Sequence, residues 1–547
     1  MKHLYYSLVL IIMTTIHIAG CTSHKNSSLS VIPEPVEFVK ERGNFTITPY
    51  TPVFFNFPDS VHRENIISVL QKHLNDFYGF SAGEKASYSS TDTSDRVPGI
   101  YIILDKKEDL VPEEGYVIDI KETISLRATS FSGLFYGMQS LVQMMEESDE
   151  SAEEVSVPNG VLTDYPRFSW RGLHLDVCRH FMPKEFVFRY LDFMAMHKLN
   201  TFHFHLTEDQ GWRIEIEKYP KLTDIGSVRE ETLVGHGRSS DKYDGIEHGG
   251  YYTKEDIREI VDYASKRYIT VVPEIEMPGH ALAALASYPH LGCTGGPYDV
   301  ATRWGVFEDI MCAGKESTFE FVEDVLTEVM EMFPSDYIHI GGDEAPKARW
   351  KECPDCQERI LEEELADENQ LQSYFIKRVG RFLADNGRKL IGWDEILEGG
   401  LAPDAAVMSW RGEAGGIEAA QMGHYVVMTP GTHCYLDHYQ ADPETQPLAI
   451  GGFTPLEKIY SYEPVPDTLV GNQADYIMGA QGNVWTEYMS SPAHVEYMVY
   501  PRAAALSEVV WSPKKERNYE NFLERLSVLR RVYDHYNLNY AKVAFDE

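Results

Sequence analysis

TFHFHLTEDQGWR at residues 201–213 passes from an apolar, aromatic-rich run into an acidic turn containing glycine. A short run of this kind, bounded by a polar turn, reads as a buried strand that delivers polar groups at its C-terminal end. The same pattern recurs in GLHLDV (172–177), ITVVPEI (269–275) and YIHIGG (337–342), then in KLIGW (389–393), AAVMSW (405–410), YVVMTP (425–430) and YIMGAQGNVW (476–485). Between them, KEFVFRYLDFMAMH and STFEFVEDVLTEVMEMF have helical periodicity and enough length for right-handed crossovers between parallel strands. Eight strands over about 350 residues favour a (β/α)8 TIM barrel over an open doubly wound sheet. Several of the runs end in acids, His or Trp, where a barrel places its chemistry. Neither a GxGxxG nor a Walker A sequence occurs in the context that nucleotide binding needs.

Working outward, the barrel and a C-terminal helical segment take residues 156–547, and a smaller α/β domain takes 29–155. In the latter, TPVFFNF and GYVIDI read as strands, and ISLRATSFSGLFYGMQSLVQMM as strand, turn and helix. EESDESAEE (146–154) reads as a solvated connection. The fold class is therefore α/β, a TIM barrel preceded by a smaller α/β domain. At the N-terminus, Lys2 and His3 precede the apolar run LVLIIMTTIHIAGC (8–21), which is too short for a convincing membrane span. Its Ile18-Ala19-Gly20-Cys21 ending resembles a bacterial lipobox. That resemblance implies signal cleavage before Cys21, acylation of that cysteine, and a bilayer partner in the bacterial cell envelope, facing the periplasm or the outside. Residues 22–28 then form a polar tether.

Composition narrows the partners. The chain has 547 residues, 43% of them hydrophobic, which suits a packed multidomain protein and rejects disorder. Lys plus Arg total 49 against 85 Asp plus Glu, a net charge of −36, so no basic track exists for nucleic acid. No sequence feature sets the oligomeric state. Seven cysteines are too few for a disulfide scaffold at this length. Cys293 and Cys312 flank a Gly-Pro-Tyr loop and suggest a loop disulfide. CPDC at 353–356 reads as a local disulfide or two unreacted thiols, because zinc would need two further ligands that spacing does not supply.

The chemistry centres on HIGGDEAP (339–346). On a regular strand Asp343 and Glu344 would face opposite ways, but Gly341-Gly342 and Pro346 permit a turn that presents both to one ligand. Glu344 there suits a general acid that later acts as base. A surface acidic turn is the plain alternative. His203 and His205, at i,i+2 on one strand face, could instead begin a hydrolytic metal site.

WRGLHLDVCRHF (170–181), HFHLTEDQGWR (203–213), PEIEMPGH (273–280) and HIGGDEAP resemble the family 20 glycoside hydrolases, β-N-acetylhexosaminidases. GWDEI (392–396), SWRG (409–412), YLD (435–437) and WTE (485–487) extend the resemblance through the barrel, and GLFYGMQSLVQ (133–143) resembles the end of that family's small N-terminal domain.

The resemblance implies exo-acting, retaining hydrolysis of terminal β-linked N-acetylglucosamine, with N-acetylgalactosamine as a further substrate. Asp343 would orient the 2-acetamido group, whose carbonyl oxygen attacks the anomeric carbon to give an oxazoline. Glu344 would be the acid/base and Tyr435 a donor to the acetamido carbonyl. Trp393, Trp410 and Trp485 would wall the sugar, Asp437, Glu487 and Arg171 would hold its hydroxyls, and Asp209, Glu276 and His280 would support the turn. Arg171 sits awkwardly, because it precedes the first expected strand while a barrel works at the other end. The partners so implied are β-N-acetylhexosaminide glycans, with no cofactor and no metal. A lipid-anchored, non-catalytic carbohydrate-binding protein and a metal-dependent TIM-barrel hydrolase are the competing readings.

Overall fold

The structure, a computed structural model, describes residues 29–84, 97–107, 110–145 and 153–545. The signal region 1–21 with Cys21, the tether 22–28 and most of the acidic connection 146–154 lie outside the described residues. Among the described residues no helix is long and apolar enough to cross a membrane.

The N-terminal domain is one sheet with two helices. Its elements are β1 (Glu37–Ile47), β2 (Pro52–Phe55), α1 (Ser60–Tyr78), β3 (Gly83–Glu84), β4 (Ile100–Leu104), β5 (Tyr116–Ile120), β6 (Ile124–Ala128), α2 (Phe131–Gln143) and β7 (Val155–Asp164). The strand order is β1-β7-β5-β6-β4-β2-β3. Asp59 caps α1 and Ser130 caps α2 by accepting from the backbone N–H three residues on, which fixes where each helix starts. β7 corrects the boundary expected at 155/156. The stretch PNGVLTDYPRFSW, which that boundary assigns to the barrel region, contains the turn-forming residues Pro158-Asn159-Gly160. Instead it runs inside the sheet between β1 and β5, and the register with β1 shifts between Lys40 and Asn44. Such an irregularity is where a strand tolerates Pro and Gly.

The second domain is a closed parallel barrel in which every expected strand is present. Its strands are β8 (Trp170–Asp176), β9 (Thr201–His205), β10 (Thr270–Glu274), β11 (Tyr337–His339), β12 (Lys389–Trp393), β13 (Ala406–Ser409), β14 (Val426–Met428) and β15 (Ile477–Gly482), and β15 pairs back onto β8. Helices Lys184–Met196 and Glu316–Met332 cover two of the crossovers read from sequence. Their buried faces carry Phe186, Val187, Tyr190 and Leu191 in the first, and Phe319, Val322, Val325, Leu326 and Val329 in the second, the spacing of an amphipathic helix.

Arg171 is corrected by this frame. It is the second residue of β8, at the N-terminal end of the barrel, and is fully buried. Its guanidinium pairs with Glu114 at 2.8 and 2.9 Å, donates to the carbonyls of Phe168 and Lys198, and packs over Tyr136 and Trp511. A guanidinium so committed, fully buried at the N-terminal end of the barrel, holds the small domain to the barrel and is not placed to meet a sugar at the other end. Beside it, Asp164 at the end of β7 accepts from Lys198 Nζ (3.0 Å), Trp511 Nε1 (2.9 Å) and the Tyr116 hydroxyl, stitching the same junction.

Candidate active site

The barrel is plugged near its C-terminal end by a charged layer. Glu274, the last residue of β10, is wholly buried; Oε1 accepts from Trp393 Nε1 (2.8 Å) and lies 2.9 Å from His339 Nδ1, and Oε2 lies 2.5 Å from His205 Nδ1 and 3.0 Å from His203 Nε2. Burial opposes a positive His205, but Glu274 and Glu208 outweigh it and hold its pKa near 10, whereas burial takes His203 down to about 4. His203 and His205 therefore belong to an internal imidazole–carboxylate network. A metal-dependent hydrolase would need an ion with a position open to substrate, and these fully buried rings already share the Glu274 carboxylate.

Above this floor, β11 ends at His339 and the chain turns. Gly341 and Gly342 take φ of 64° and 88°, and Glu344 itself takes 42°. A Cβ on Gly341 would overlap the Glu276 carboxylate, so only glycine lets the turn cross this acid. The turn brings the two acids to one place, as the sequence suggested: Asp343 Oδ2 lies 3.7 Å and Glu344 Oε2 3.5 Å from His280 Nε2. Glu344 is exposed, and Asp343 is buried with Oδ1 unpartnered. Burial, with Glu274 and Glu344 nearby and His280 opposing, raises the Asp343 pKa to about 7.

His280, strained at φ 48°, lies behind both acids. Its Nδ1 is 2.7 Å from Glu208 Oε1 and 3.2 Å from Asp209 Oδ2. Burial disfavours its charge, yet these acids raise its pKa well above the ordinary value and so favour the imidazolium form. Asp209 also accepts from the Leu282 amide (2.9 Å), which ties the loop after β9 to the loop after β10. Glu276 takes its backbone N–H to Thr207 Oγ1 at 2.8 Å and leaves Oε2 unpartnered beneath the turn. Burial raises its pKa well above the usual range, with Asp343 and Glu274 adding to the shift.

The aromatic residues differ in depth. Trp393 is 1% exposed and packs against His203, His339 and Trp485, so it forms the floor rather than a wall. Trp410 and Trp485 are half-buried at the rim. Trp410 donates to Glu395 Oε2 (2.9 Å) and stacks at 6.2 Å on Tyr435, whose backbone bridges to Asn483 after β15. Asp437 and Glu487 each keep one buried oxygen unpartnered, and burial raises both pKa values.

Sequence reasoning missed Arg179 and Glu208. Arg179 follows β8 at the barrel's C-terminal end, lies 2.9 Å from Glu208 Oε2 and 3.5 Å from Asp176 Oδ2, donates to Gln210, and crosses the Trp485 face at 5.1 Å. It was readable: CRH directly follows the GLHLDV run, where the barrel rule puts function. The family resemblance of WRGLHLDVCRHF was instead placed on Arg171, the arginine at the wrong end of the same strand.

Residues 168–514 match the family model for the glycosyl hydrolase family 20 catalytic domain, and 28–165 match domain 2 of that family. The chain belongs to glycosyl hydrolase family 20. Within this family it is 50% identical over 447 residues to a β-hexosaminidase of Porphyromonas gingivalis, a match covering 81% of this chain and 56% of that protein. A β-hexosaminidase of Akkermansia muciniphila is 36% identical, with 72% of this chain and 78% of that one covered. Among solved structures, the family 20 exo-β-N-acetylglucosaminidase of Vibrio harveyi, determined with N-acetylglucosamine, superposes with TM-score 0.81 at 30% identity over 94% of this chain and 78% of its own. The family 20 match begins at Phe168 for the catalytic domain, which agrees with a domain boundary after β7 rather than before it.

Proposed function

We propose that this chain is an exo-acting, retaining β-N-acetylhexosaminidase that removes terminal β-linked N-acetylglucosamine, and N-acetylgalactosamine as well, by substrate-assisted catalysis. The observation that carries the reading is a set of three buried carboxylate oxygens without partners, on Asp343, Asp437 and Glu487, in loops that follow barrel strands. Buried acceptors are ordinarily satisfied, and a polyhydroxylated ligand with an amide N–H supplies the missing donors.

In the proposed reaction Glu344, the exposed acid, gives its proton to the glycosidic oxygen as the bond to the anomeric carbon breaks. Asp343 accepts from the acetamido N–H and directs the carbonyl oxygen onto the anomeric carbon, with Tyr435 donating to that oxygen. The carbon–oxygen bond so formed closes an oxazolinium ring whose charge Asp343 offsets. Glu344, now ionised, takes a proton from water; the water oxygen attacks the anomeric carbon, the ring opens, and the β configuration is restored. His280 positions both acids. Asp437, Glu487 and Arg179 meet the sugar hydroxyls, while Trp410 and Trp485 close around the pyranose and its acetyl group above the Trp393 floor.

The test compares aryl β-N-acetylglucosaminide with aryl β-glucoside and follows the first sugar released by proton NMR. Rapid turnover of the first substrate alone, with the β anomer first, is expected. Equal rates, or the α anomer first, would overturn the mechanism.

We also propose that the enzyme is held to the bacterial envelope through acylated Cys21, on the strength of the apolar run ending in Ile18-Ala19-Gly20-Cys21. Cys21→Ala should abolish labelled fatty-acid incorporation; unchanged incorporation would defeat the assignment.

A further inference from the structure

Four of the cysteines lie together, outside the proposed sugar site. Sequence spacing suggested a disulfide between Cys293 and Cys312 and a separate CPDC unit, but all six described cysteines are free thiols and these four converge. Sγ of Cys356 is 3.5 Å from that of Cys312 and 3.8 Å from that of Cys293, while Cys312 and Cys353 are 3.7 Å apart. All four sulfurs lie within 4.8 Å of one another. A disulfide requires bonding distance near 2.05 Å. A tetrahedral thiolate site with metal–sulfur bonds near 2.3 Å has sulfur–sulfur edges of about 3.8 Å. The separations fit the second geometry.

We propose that Cys293, Cys312, Cys353 and Cys356 form a structural tetrathiolate site for a zinc-class divalent cation. The local chain is built for it. Cys353 is the N-terminal cap residue of the helix Pro354–Glu362, and Cys356 lies in its first turn, where helix amides favour thiolates. On the other side Gly314 approaches so closely that a Cβ would overlap the backbone of Asp355, which locks the Cys312 segment onto the CPDC turn. Cys312, Cys353 and Cys356 are buried, leaving Cys293 half-buried as the remaining wall. Four thiol ligands fill a tetrahedral set by themselves, which describes a closed, structural site rather than an open catalytic one.

The position gives the site a purpose. The Met311 amide donates to Pro278 (2.9 Å), within the loop that carries His280, and the Trp350 indole donates to Met311 (2.9 Å) from the helix that follows the Asp343-Glu344 turn. The cation would therefore clamp three segments, 289–314, 277–280 and 343–356, around the acid/base turn.

The full chain purified in chelator-free buffer should contain about one zinc per molecule by inductively coupled plasma mass spectrometry, with an unreduced intact mass showing all four thiols unoxidised. Replacement by Co²⁺ should give thiolate charge-transfer and tetrahedral d–d bands. Cys312→Ser should lose the metal, and chelation of the wild type should lower Tm by several degrees; Cys434→Ser, a buried thiol elsewhere, should keep the metal. Metal-free protein whose mass is lower by four hydrogens would replace the site by two disulfides. Metal-free protein with four thiols that bind neither zinc nor cobalt would also overturn it. Each result is read without assaying hydrolysis, so it is independent of the proposed reaction.

Discussion

His280 Nδ1 lies 2.7 Å from Glu208 Oε1, and this contact favours a charged form of the imidazole that faces both acids of the Asp343-Glu344 turn. Glu208 is itself held well below the ordinary carboxylate range: burial pushes it up, but Arg179, His280 and His205 outweigh that. The positive charge on His280 is thus anchored by a permanently ionised partner, and its other nitrogen is 3.5 Å from Glu344.

Glu208→Gln should let His280 lose its proton at lower pH. The group is raised in the wild type, so its charge persists through neutrality and is lost only as pH climbs through the elevated value. The basic limb of kcat/KM should move down by at least about one pH unit, a shift worth about 1.4 kcal/mol. An unchanged profile in the variant would show that Glu208 does not control His280.

Asp343 should impose an acid limb near pH 7 on kcat/KM, since its pKa is raised to about 7 and the proposed contact with the acetamido N–H needs the ionised form. Stability runs the other way. The folded pKa is above the unfolded one of about 3.9, so protonated Asp343 favours folding below that value, and the contribution is lost as pH rises through about 7. Asp343→Asn should therefore gain on the order of 2 kcal/mol relative to wild type at pH 8, seen as a higher Tm, while activity collapses. A variant less stable than wild type at pH 8 would contradict this sign.

The two arginines of β8 and its loop should separate cleanly. Arg171→Met leaves Glu114 without its partner and should cost about 3 kcal/mol in unfolding titrations with KM unchanged in the folded fraction. Arg179→Lys should instead lower kcat/KM about 10²-fold, because a point charge cannot reproduce the fork that meets Glu208, Asp176 and Gln210 together. A raised KM for Arg171→Met would restore it as a sugar ligand.

Glu344→Gln should fail most on poor leaving groups and be partly spared on activated aryl glycosides, whereas better leaving groups should rescue Asp343→Asn less. Each loss should fall within about 10²–10⁴-fold. Parallel leaving-group plots would defeat the division of roles.

The barrel was legible because its strands are buried on both faces, so each shows as an apolar run closed by a polar turn. KLIGW matches β12 residue for residue. β7 was lost because Pro158-Asn159-Gly160 imitates a loop, and a strand irregularity has no periodicity to announce it. Asp343 and Glu344 were read as neighbours because the paired glycines before them and Pro346 after them permit a turn, whereas His280 came only from the resemblance of PEIEMPGH to the family. Glu208 was passed over for Asp209, since adjacent acids differ only in the direction that a two-residue ladder with Gly211-Trp212 gives them. The four cysteines are up to 63 residues apart, and only the packing of the Cys312 segment on the CPDC helix brings them together.

The central claim is that the substrate's own acetamido oxygen is the nucleophile. Aryl N-acetyl-β-glucosaminides bearing zero, one, two or three fluorines on the acetyl methyl test it directly, because fluorine drains the carbonyl oxygen while leaving the glycosidic bond and the aryl group unchanged. The account predicts that kcat/KM falls steeply and progressively across the series. A flat series would contradict it and would move the nucleophile from the sugar to the protein or to water.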